Sequence, residues 1–320
     1  MPGYDTHYIF GTASYKKADA GVVKKIITSD KELYVLGLFG PDIFFYSFPE
    51  LIKSGPNTGS LIHTSNINLF FRNMFDFAMS QSSYEYRFKS LSYFCGFLAH
   101  YSLDRFCHPY IYYRSGYNPF EGKSDSCLHK HFSLETDIDI LLLNMFCNKA
   151  PKEFKKSCKL NLSSTDISFI SKMLQYSINR SFNGFRTGSV SIKAAILSLQ
   201  ASQRLIKSCP EKLRVCINSV ETHIIGRSYL SALIPGTCIT NTDPLNLHNN
   251  QWVNPWEPEI IHQESFLKLM DYSKANILKL FRLLDKCLSE YNNNAHNCFE
   301  EFLTAIGNYS YHSNQNSIED

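Results

Sequence analysis

The stretch G-F-L-A-H-Y-S-L-D-R-F-C-H-P, Gly96–Pro109, decides how this chain is read. Its apolar residues recur at three-and-four spacing, the period of a helix. Within that helix His100, Asp104 and His108 stand at i, i+4 and i+8. Each step of four residues turns a side chain by only about 40°, so all three share one face. Ionisable groups make a poor core stripe unless something pairs them. Imidazole and carboxylate at i, i+4 are also what a zinc ion clamps from one helix. His100 and His108 are separated by about 12 Å of helix rise, too far for easy sharing of one small tetrahedral ion. If all three are ligands, at least two metals are implied, with Asp104 between them as the natural bridge. Pro109 follows directly and is expected to close the helix.

A second helical face lies just downstream in H-K-H-F-S-L-E-T-D-I-D, His129–Asp139. His131 and Glu135 again stand at i, i+4, and Asp139 lies one more turn along. A single His–Glu pair at this spacing is common as a solvated surface contact. Two His/carboxylate faces within forty residues, each flanked by apolar residues, favour two helices enclosing a metal cluster. His129 competes with His131, but only His131 stands four residues before Glu135.

Helical periodicity extends over most of the chain. It predicts helices at Asn66–Ser80, Tyr84–His108, His129–Phe146, Ser163–Ser181, Ser191–Cys209, Glu211–Leu230 and Ser265–Tyr291. Ser163, Ser164 and Thr165 before Asp166 offer an N-cap for one of them. No stretch alternates long enough to specify a sheet, and no internal repeat is present. The fold class expected is therefore all-α, a single multi-helix domain over residues 1–309. Breaks are expected at Gly55–Gly59 and at the polar stretch Tyr113–Cys127. The stretch Ile234–Glu259, with four prolines and both tryptophans, is the kind of long irregular loop that is often functional. Trp252 and Trp256 are expected to pack it onto the helices. Residues 310–320, SYHSNQNSIED, read as a disordered tail.

Composition narrows the partners. Hydrophobic residues make up 44% and charged residues 19% of the 320, which suits a globule with a substantial core. A net charge of +3 argues against stable nucleic-acid binding or attraction to an anionic membrane. No run of 18 apolar residues suggests a transmembrane helix, leaving transient contact with a membrane surface as the one membrane association expected. The ten cysteines contain no C-x-x-C pair and read as reduced, mostly buried thiols. The start, MPGYDTHYIFG, lacks the features of a secretory signal peptide, so a cytoplasmic location is expected.

Taken with residues further upstream, the order His7, Asp42, His63, His100 with Asp104, His108, then His131 with Glu135 resembles the zinc-dependent bacterial phospholipases C. The same order occurs in the secreted single-strand-specific nucleases that share their fold. The words T-H-Y-I-F-G around His7, G-P-D-I-F-F-Y around Asp42 and N-P-W at Asn254–Trp256 also look alike, which extends the likeness to about residue 290. The close Asp104–His108 spacing, H-Y-x-x-D-x-x-x-H-P, is similar to the intracellular branch of the family. The resemblance implies two to three zinc ions. Asp42, His63, His100 and Asp104 would hold one, His108, His131 and Glu135 a second, and His7 with the bridging Asp104 would help hold a third. It also implies zinc-activated water attacking phosphorus, with Asp42 as the catalytic residue that orients or deprotonates the water.

Read alone, several of these residues have plainer roles. His7 would be a packed or exposed histidine, Asp42 a turn residue after Gly-Pro, and His63 a loop residue before a helix. Asp139 is either an outer partner orienting a ligand or a solvated carboxylate. His223, His248, His262, His296 and His312 lack a carboxylate partner in a comparable pattern and read as surface or core. The function expected is hydrolysis of phosphodiester bonds, nominally of a phospholipid to diacylglycerol and a phosphorylated head group. A nuclease is the first alternative, and a non-catalytic, metal-stabilised helical binding protein is the other. Structural zinc sites are closed by four protein ligands, whereas the His108/His131/Glu135 set is one short, and that open position separates the readings.

Overall fold

The computed structural model describes residues 3–46, 57–120, 125–154, 160–224, 230–236, 239–289 and 295–317. Its first helices are α1 (Tyr4–Lys17), α2 (Val22–Ser29) and α3 (Lys31–Gly37), followed by a 3₁₀ turn at Gly40–Phe44. Then come α4 (Thr58–Thr64), α5 (Ile67–Met79), α6 (Tyr84–Ser115), α7 (Asp125–Cys147), α8 (Ser164–Ser181), α9 (Ser189–Ser208), α10 (Glu211–Ile224) and α11 (Leu230–Leu233). A two-stranded hairpin, β1 (Trp252–Asn254) and β2 (Glu257–His262), precedes α12 (Phe266–Ser289) and α13 (Ala295–Ile306). The class is all-α, as the periodicity requires. No helix among the described residues is long and apolar enough to cross a membrane.

The central element is α6, 32 residues long and buried around most of its circumference from Ser90 to Tyr112. A helix buried on nearly every side belongs in the middle of a core. On one flank α5 sets Phe70 and Phe71 against Phe97, with ring centroids at 5.4 and 5.9 Å. Burying each such ring stabilises the fold by about 1.5–3 kcal/mol. On another flank α3 crosses α6 with Gly37 and Gly96 at the contact. A Cβ on Gly37 would fall 2.2 Å from the Tyr93 carbonyl oxygen, and one on Gly96 2.1 Å from that of Tyr34. The glycine that opens the decisive stretch is therefore required by close backbone approach. That crossing carries Leu38 and the 3₁₀ turn onto the polar face of α6.

Pro109 does not close α6, which runs on to Ser115. Proline inside a helix loses a hydrogen bond and crowds the preceding turn, at a cost of about 3 kcal/mol. Burial of Tyr110, Ile111 and Tyr112 beyond it offsets that cost. The helix ends instead at Gly116, whose φ of 74° allows the Tyr117 N–H to reach the Tyr112 carbonyl at 3.0 Å, a Schellman closure. The remaining predicted helices agree with α5, α7, α8, α9, α10 and α12 to within a few residues. The predicted ends at Leu230 and Tyr291 are reached through residues 225–229 and 290–291, outside the described ones, as are Gly55, Pro56, Cys158 and Cys238. The eight described cysteines are free thiols.

Two further expectations are corrected. The long loop contains a short antiparallel sheet, pairing Trp252 with His262 and Val253 with Ile261. Trp252 packs on Tyr110 at 5.5 Å and Trp256 on Tyr112 at 5.1 Å, so both tryptophans fasten the loop to α6. Residues 310–317 are not a disordered tail. Tyr311 is fully buried, its N–H donates to the His63 carbonyl at 3.0 Å, and Ser310 N–H donates to the Gln315 carbonyl at 2.8 Å. Asn254, in the hairpin turn, donates from Nδ2 to the Ser313 carbonyl at 2.9 Å. One aromatic anchor and these backbone bonds order a segment whose composition alone is that of a solvated end.

Candidate metal centre

The site grows from the polar face of α6. His100, Asp104 and His108 are fully buried there. His63 enters from α4, Asp42 from the 3₁₀ turn, His7 from α1, and His131 and Glu135 from α7. All eight residues are 5% exposed or less. Asp104 lies at the centre. Its Oδ2 is 2.9 Å from His100 Nε2 and 3.6 Å from His63 Nε2, and its Oδ1 is 3.1 Å from His7 Nε2. Asp42 Oδ1 is 3.3 Å from His63 Nε2 and 3.7 Å from His100 Nε2. The rings of His7 and His100 stack at 4.2 Å.

Two sets of ligand-capable atoms converge, each within 4.8 Å of one another. One comprises Asp42, His63, His100 and Asp104, the other His108, His131 and Glu135. In the second, His131 Nε2 lies 2.8 Å from Glu135 Oε1. Seven of the eight residues proposed as ligands are thus in one of these sets, and the eighth, His7, is in contact with Asp104. The separation of His100 from His108 along α6 divides them between the two sets.

Local geometry prepares three of the histidines. His100 Nδ1 is 3.0 Å from the Leu38 carbonyl, His63 Nδ1 2.7 Å from that of Gly59, and His108 Nδ1 2.8 Å from that of Tyr311. A carbonyl only accepts, so each Nδ1 carries the proton and each Nε2 presents a lone pair inward. Gly40 makes room for this, since it holds φ at +49° and a Cβ there would fall 2.3 Å from the His100 ring.

The electrostatics follow from burial and crowding. Burial holds His7 and His108 below the ordinary imidazole value, His108 well below. Burial acts the same way on His63 and His100, but Asp104 and Asp42 outweigh it and raise both. Burial pushes the Asp104 carboxyl up, yet His100, His108 and His7 together hold it well below the usual carboxylate range. The inward atoms nevertheless lack hydrogen bonds: both ring nitrogens of His7, Asp42 Oδ1, His63 Nε2, His100 Nε2, both oxygens of Asp104 and His108 Nε2. Each buried polar atom left so costs roughly 1–3 kcal/mol. Nitrogen and oxygen donors converging without partners fit zinc by type, number and spacing.

Asp139 is not solvated; it is buried against the start of α1 and lines the same cleft as His7 and Glu135. Its Oδ1 accepts from Thr6 N at 2.8 Å and Thr6 Oγ1 at 2.6 Å, and its Oδ2 from Asp5 N at 3.1 Å. It caps the first turn of α1, where a carboxylate meets free N–H groups and the positive helix end, and so holds the helix that carries His7. Burial and the neighbouring Asp5 push it up to about 7. Three other contributors carried no signal in sequence spacing: the carbonyls of Leu38, Gly59 and Tyr311. His312 was read as surface or core, but its ring stacks on His63 at 5.0 Å and meets His108 at 5.6 Å. Beside the cluster opens a small cleft of about 60 Å³, lined by His7, Asp42 and Glu135 together with Phe39, Gln203 and Lys207.

An all-α scaffold with a buried imidazole and carboxylate cluster between its helices defines a protein built to accommodate zinc. The family model described as zinc dependent phospholipase C matches residues 6–183, and the chain belongs to that family. The match contains all eight residues of the cluster, while Gln203, Lys207, the hairpin and residues 308–317 lie beyond it. No curated protein and no solved structure matches the chain.

Proposed function

We propose that this protein is a zinc-dependent hydrolase of phosphodiester bonds, with a phospholipid as the nominal substrate. The observation that carries the reading is the pair of convergent donor sets, of which one has four members and the other three. Four protein ligands suit a closed site; three leave a position for water or substrate, the catalytic kind. In this assignment Asp42, His63, His100 and Asp104 hold one zinc, and His108, His131 and Glu135 hold a second. His7 and Asp104 together offer a place for a third. Zinc bound in such sites supplies Lewis acidity toward the phosphoryl oxygens and lowers the pKa of water toward ~7.

The chain's own residues do the rest. The Leu38, Gly59 and Tyr311 carbonyls keep the Nε2 lone pairs of His100, His63 and His108 aimed inward. Asp104, a member of the four-residue set whose other oxygen faces His7, compensates positive charge on both of its sides. Asp42 lines the cleft as well as the cluster. With Oδ1 facing His63 and His100, its second oxygen orients the attacking water and takes its proton. The near-neutral chain offers no basic track for a polynucleotide, which favours a small or lipid diester over nucleic acid. The test is elemental analysis of purified protein, then a panel of phospholipid, nucleotide and simple diesters before and after chelation. Two or more zinc ions per chain and chelator-sensitive cleavage of a diester are expected. Protein that binds no metal, or that loads fully with zinc and cleaves none of the panel, would refute it.

A further inference from the structure

Helix α10 is amphipathic in sequence, yet the side it gives to the protein is polar. Leu213, Val220 and Ile224 stand at i, i+7 and i+11, with Cys216 between the first two, and form one stripe. A surface helix ordinarily turns such a stripe to the core. Here Leu213 is 48%, Val220 50% and Ile224 75% exposed, and the one buried residue of the helix is Glu221. Glu221 accepts from Ser231 N at 3.1 Å and Ser231 Oγ at 2.7 Å, and the same hydroxyl reaches Asn218 Oδ1 at 3.2 Å. These bonds fasten α10 to α11 through its polar side and leave the apolar stripe outward. Helix α9, joined to α10 through Cys209 and Pro210, repeats the feature in part. It buries Ile192, Ile196 and Leu199 on one side, while Val190, Leu197 and Leu205, at i, i+7 and i+15 on the other, are exposed.

Charge points to the occupant of this face. The overall charge is small, but residues 189–224 carry Lys193, Arg204, Lys207, Lys212 and Arg214 against only Glu211 and Glu221. Both carboxylates are engaged elsewhere, Glu211 Oε1 by Arg214 Nη2 at 2.6 Å and Glu221 by Ser231. Arg204 and Lys212 remain exposed, each next in sequence to an exposed leucine. We propose that α9 and α10 form a docking face for an anionic phospholipid bilayer, with the apolar side chains entering the interface and the cations meeting lipid phosphates. Apolar stripes bordered by cations are what hold a helix in the plane of such a surface. A second copy of the chain fits less well, because a symmetric contact would set Arg204 and Lys212 against a surface of their own sign. Helix α9 also gives Ile206 and Lys207 to the wall of the cleft, and α11 gives Leu233, so docking here brings that wall to the lipid. This deepens the reading of a phospholipid as substrate and rests on it for the choice of lipid over a protein partner.

The test is flotation of zinc-loaded full-length protein with two kinds of vesicle, over a time too short for hydrolysis to deplete the lipid. One is phosphatidylcholine alone and the other phosphatidylcholine mixed with phosphatidylglycerol. Binding to the mixed vesicles is expected, about tenfold tighter than to the neutral ones. Leu213→Glu, Val220→Glu and Ile224→Glu combined should weaken it by about tenfold or more. Zinc content, melting midpoint and cleavage of a short-chain, water-soluble phosphodiester should stay as in wild type. Arg204→Gln with Lys212→Gln should remove most of the preference for the anionic vesicles. If the triple variant does not fold, Ile224→Glu alone decides. Failure to bind the mixed vesicles, undiminished binding by the folded variant, or a wild-type dimer that Val220→Glu dissociates would overturn the proposal, the last by assigning the face to a second copy. Vesicle binding without cleavage of any diester would sustain docking and sink the hydrolase reading. Cleavage of the soluble diester without vesicle binding would do the reverse.

Discussion

Asp104 is the residue on which most depends, because its two oxygens face His100 and His63 on one side and His7 on the other. A bridging carboxylate places negative charge between two dications and a ligand on each. Asp104→Asn keeps the shape but loses the charge, so it should lose more zinc affinity than the ~10–100-fold typical of disturbing an outer partner. Zinc content and melting midpoint measured beside His108→Ala and His7→Ala should rank Asp104→Asn as the most damaged, and a full zinc complement there would remove the bridge. Two carboxylates of α7, Glu135 and Asp139, separate cleanly at this scale. Glu135→Ala should abolish hydrolysis and cost about one equivalent of zinc, since Glu135 belongs to the three-member set. Asp139→Ala should keep zinc in that set and lose about 1–3 kcal/mol of stability, through the uncapped donors of α1. Similar zinc loss in both variants would show that the wrong carboxylate was chosen.

Among elements, the helices were legible wherever one face was apolar and the other polar, as in α5 and α12. Helix α1 was not, because it buries polar Asp5, Thr6, His7 and Ser14 beside Ile9 and Phe10 and so shows no apolar stripe, and α2 to α4, of 8, 7 and 7 residues, are too brief for a period to declare itself. Ligand spacing on α6 and α7 was legible because it is local. Gly40, Leu38 and Gly59 were not, because their roles depend on where other elements cross. The segment 308–317 is the clearest failure of composition as a guide. It looks solvated, yet its Tyr311 carbonyl receives the His108 Nδ1–H, and its Tyr311 N–H and Ser310 hydroxyl both reach the His63 carbonyl. Arg105 anchors it further, with its guanidinium 3.8 Å from the Tyr309 ring centre and a hydrogen bond to Asn314. Ending the chain after Asn308 should leave the helical spectrum nearly intact and weaken zinc binding at the His108 set by about 10–100-fold. Competition against a calibrated chelator reads this directly, and wild-type affinity in the truncated chain would mean that the segment only covers the site.

For the whole molecule, the cluster is a junction more than a patch, since its donors arrive from α1, the 3₁₀ turn, α4, α6 and α7. Without metal, Asp42, Asp104 and the inward imidazole nitrogens stay buried without hydrogen bonds, so the packing that brings five elements together works against itself. Zinc binds the folded arrangement and not the dispersed ligands of an unfolded chain, so it stabilises by about 4 kcal/mol at a thousandfold excess over its Kd. At roughly 2–4 °C per kcal/mol for chains somewhat shorter than this one, chelation should lower the melting midpoint by about 10 °C. Zinc should restore it, and magnesium, which prefers six oxygen ligands, should not. The same linkage makes a sharper demand on Asp104→Asn. If its instability comes from lost metal, it should melt near the chelated wild type and respond little to further chelation. If it melts far below chelated wild type, the carboxylate has a structural role independent of zinc. A chelated wild type melting within about 1 °C of the zinc-loaded protein would mean that these buried atoms are satisfied some other way, and the metal centre would fall with that result.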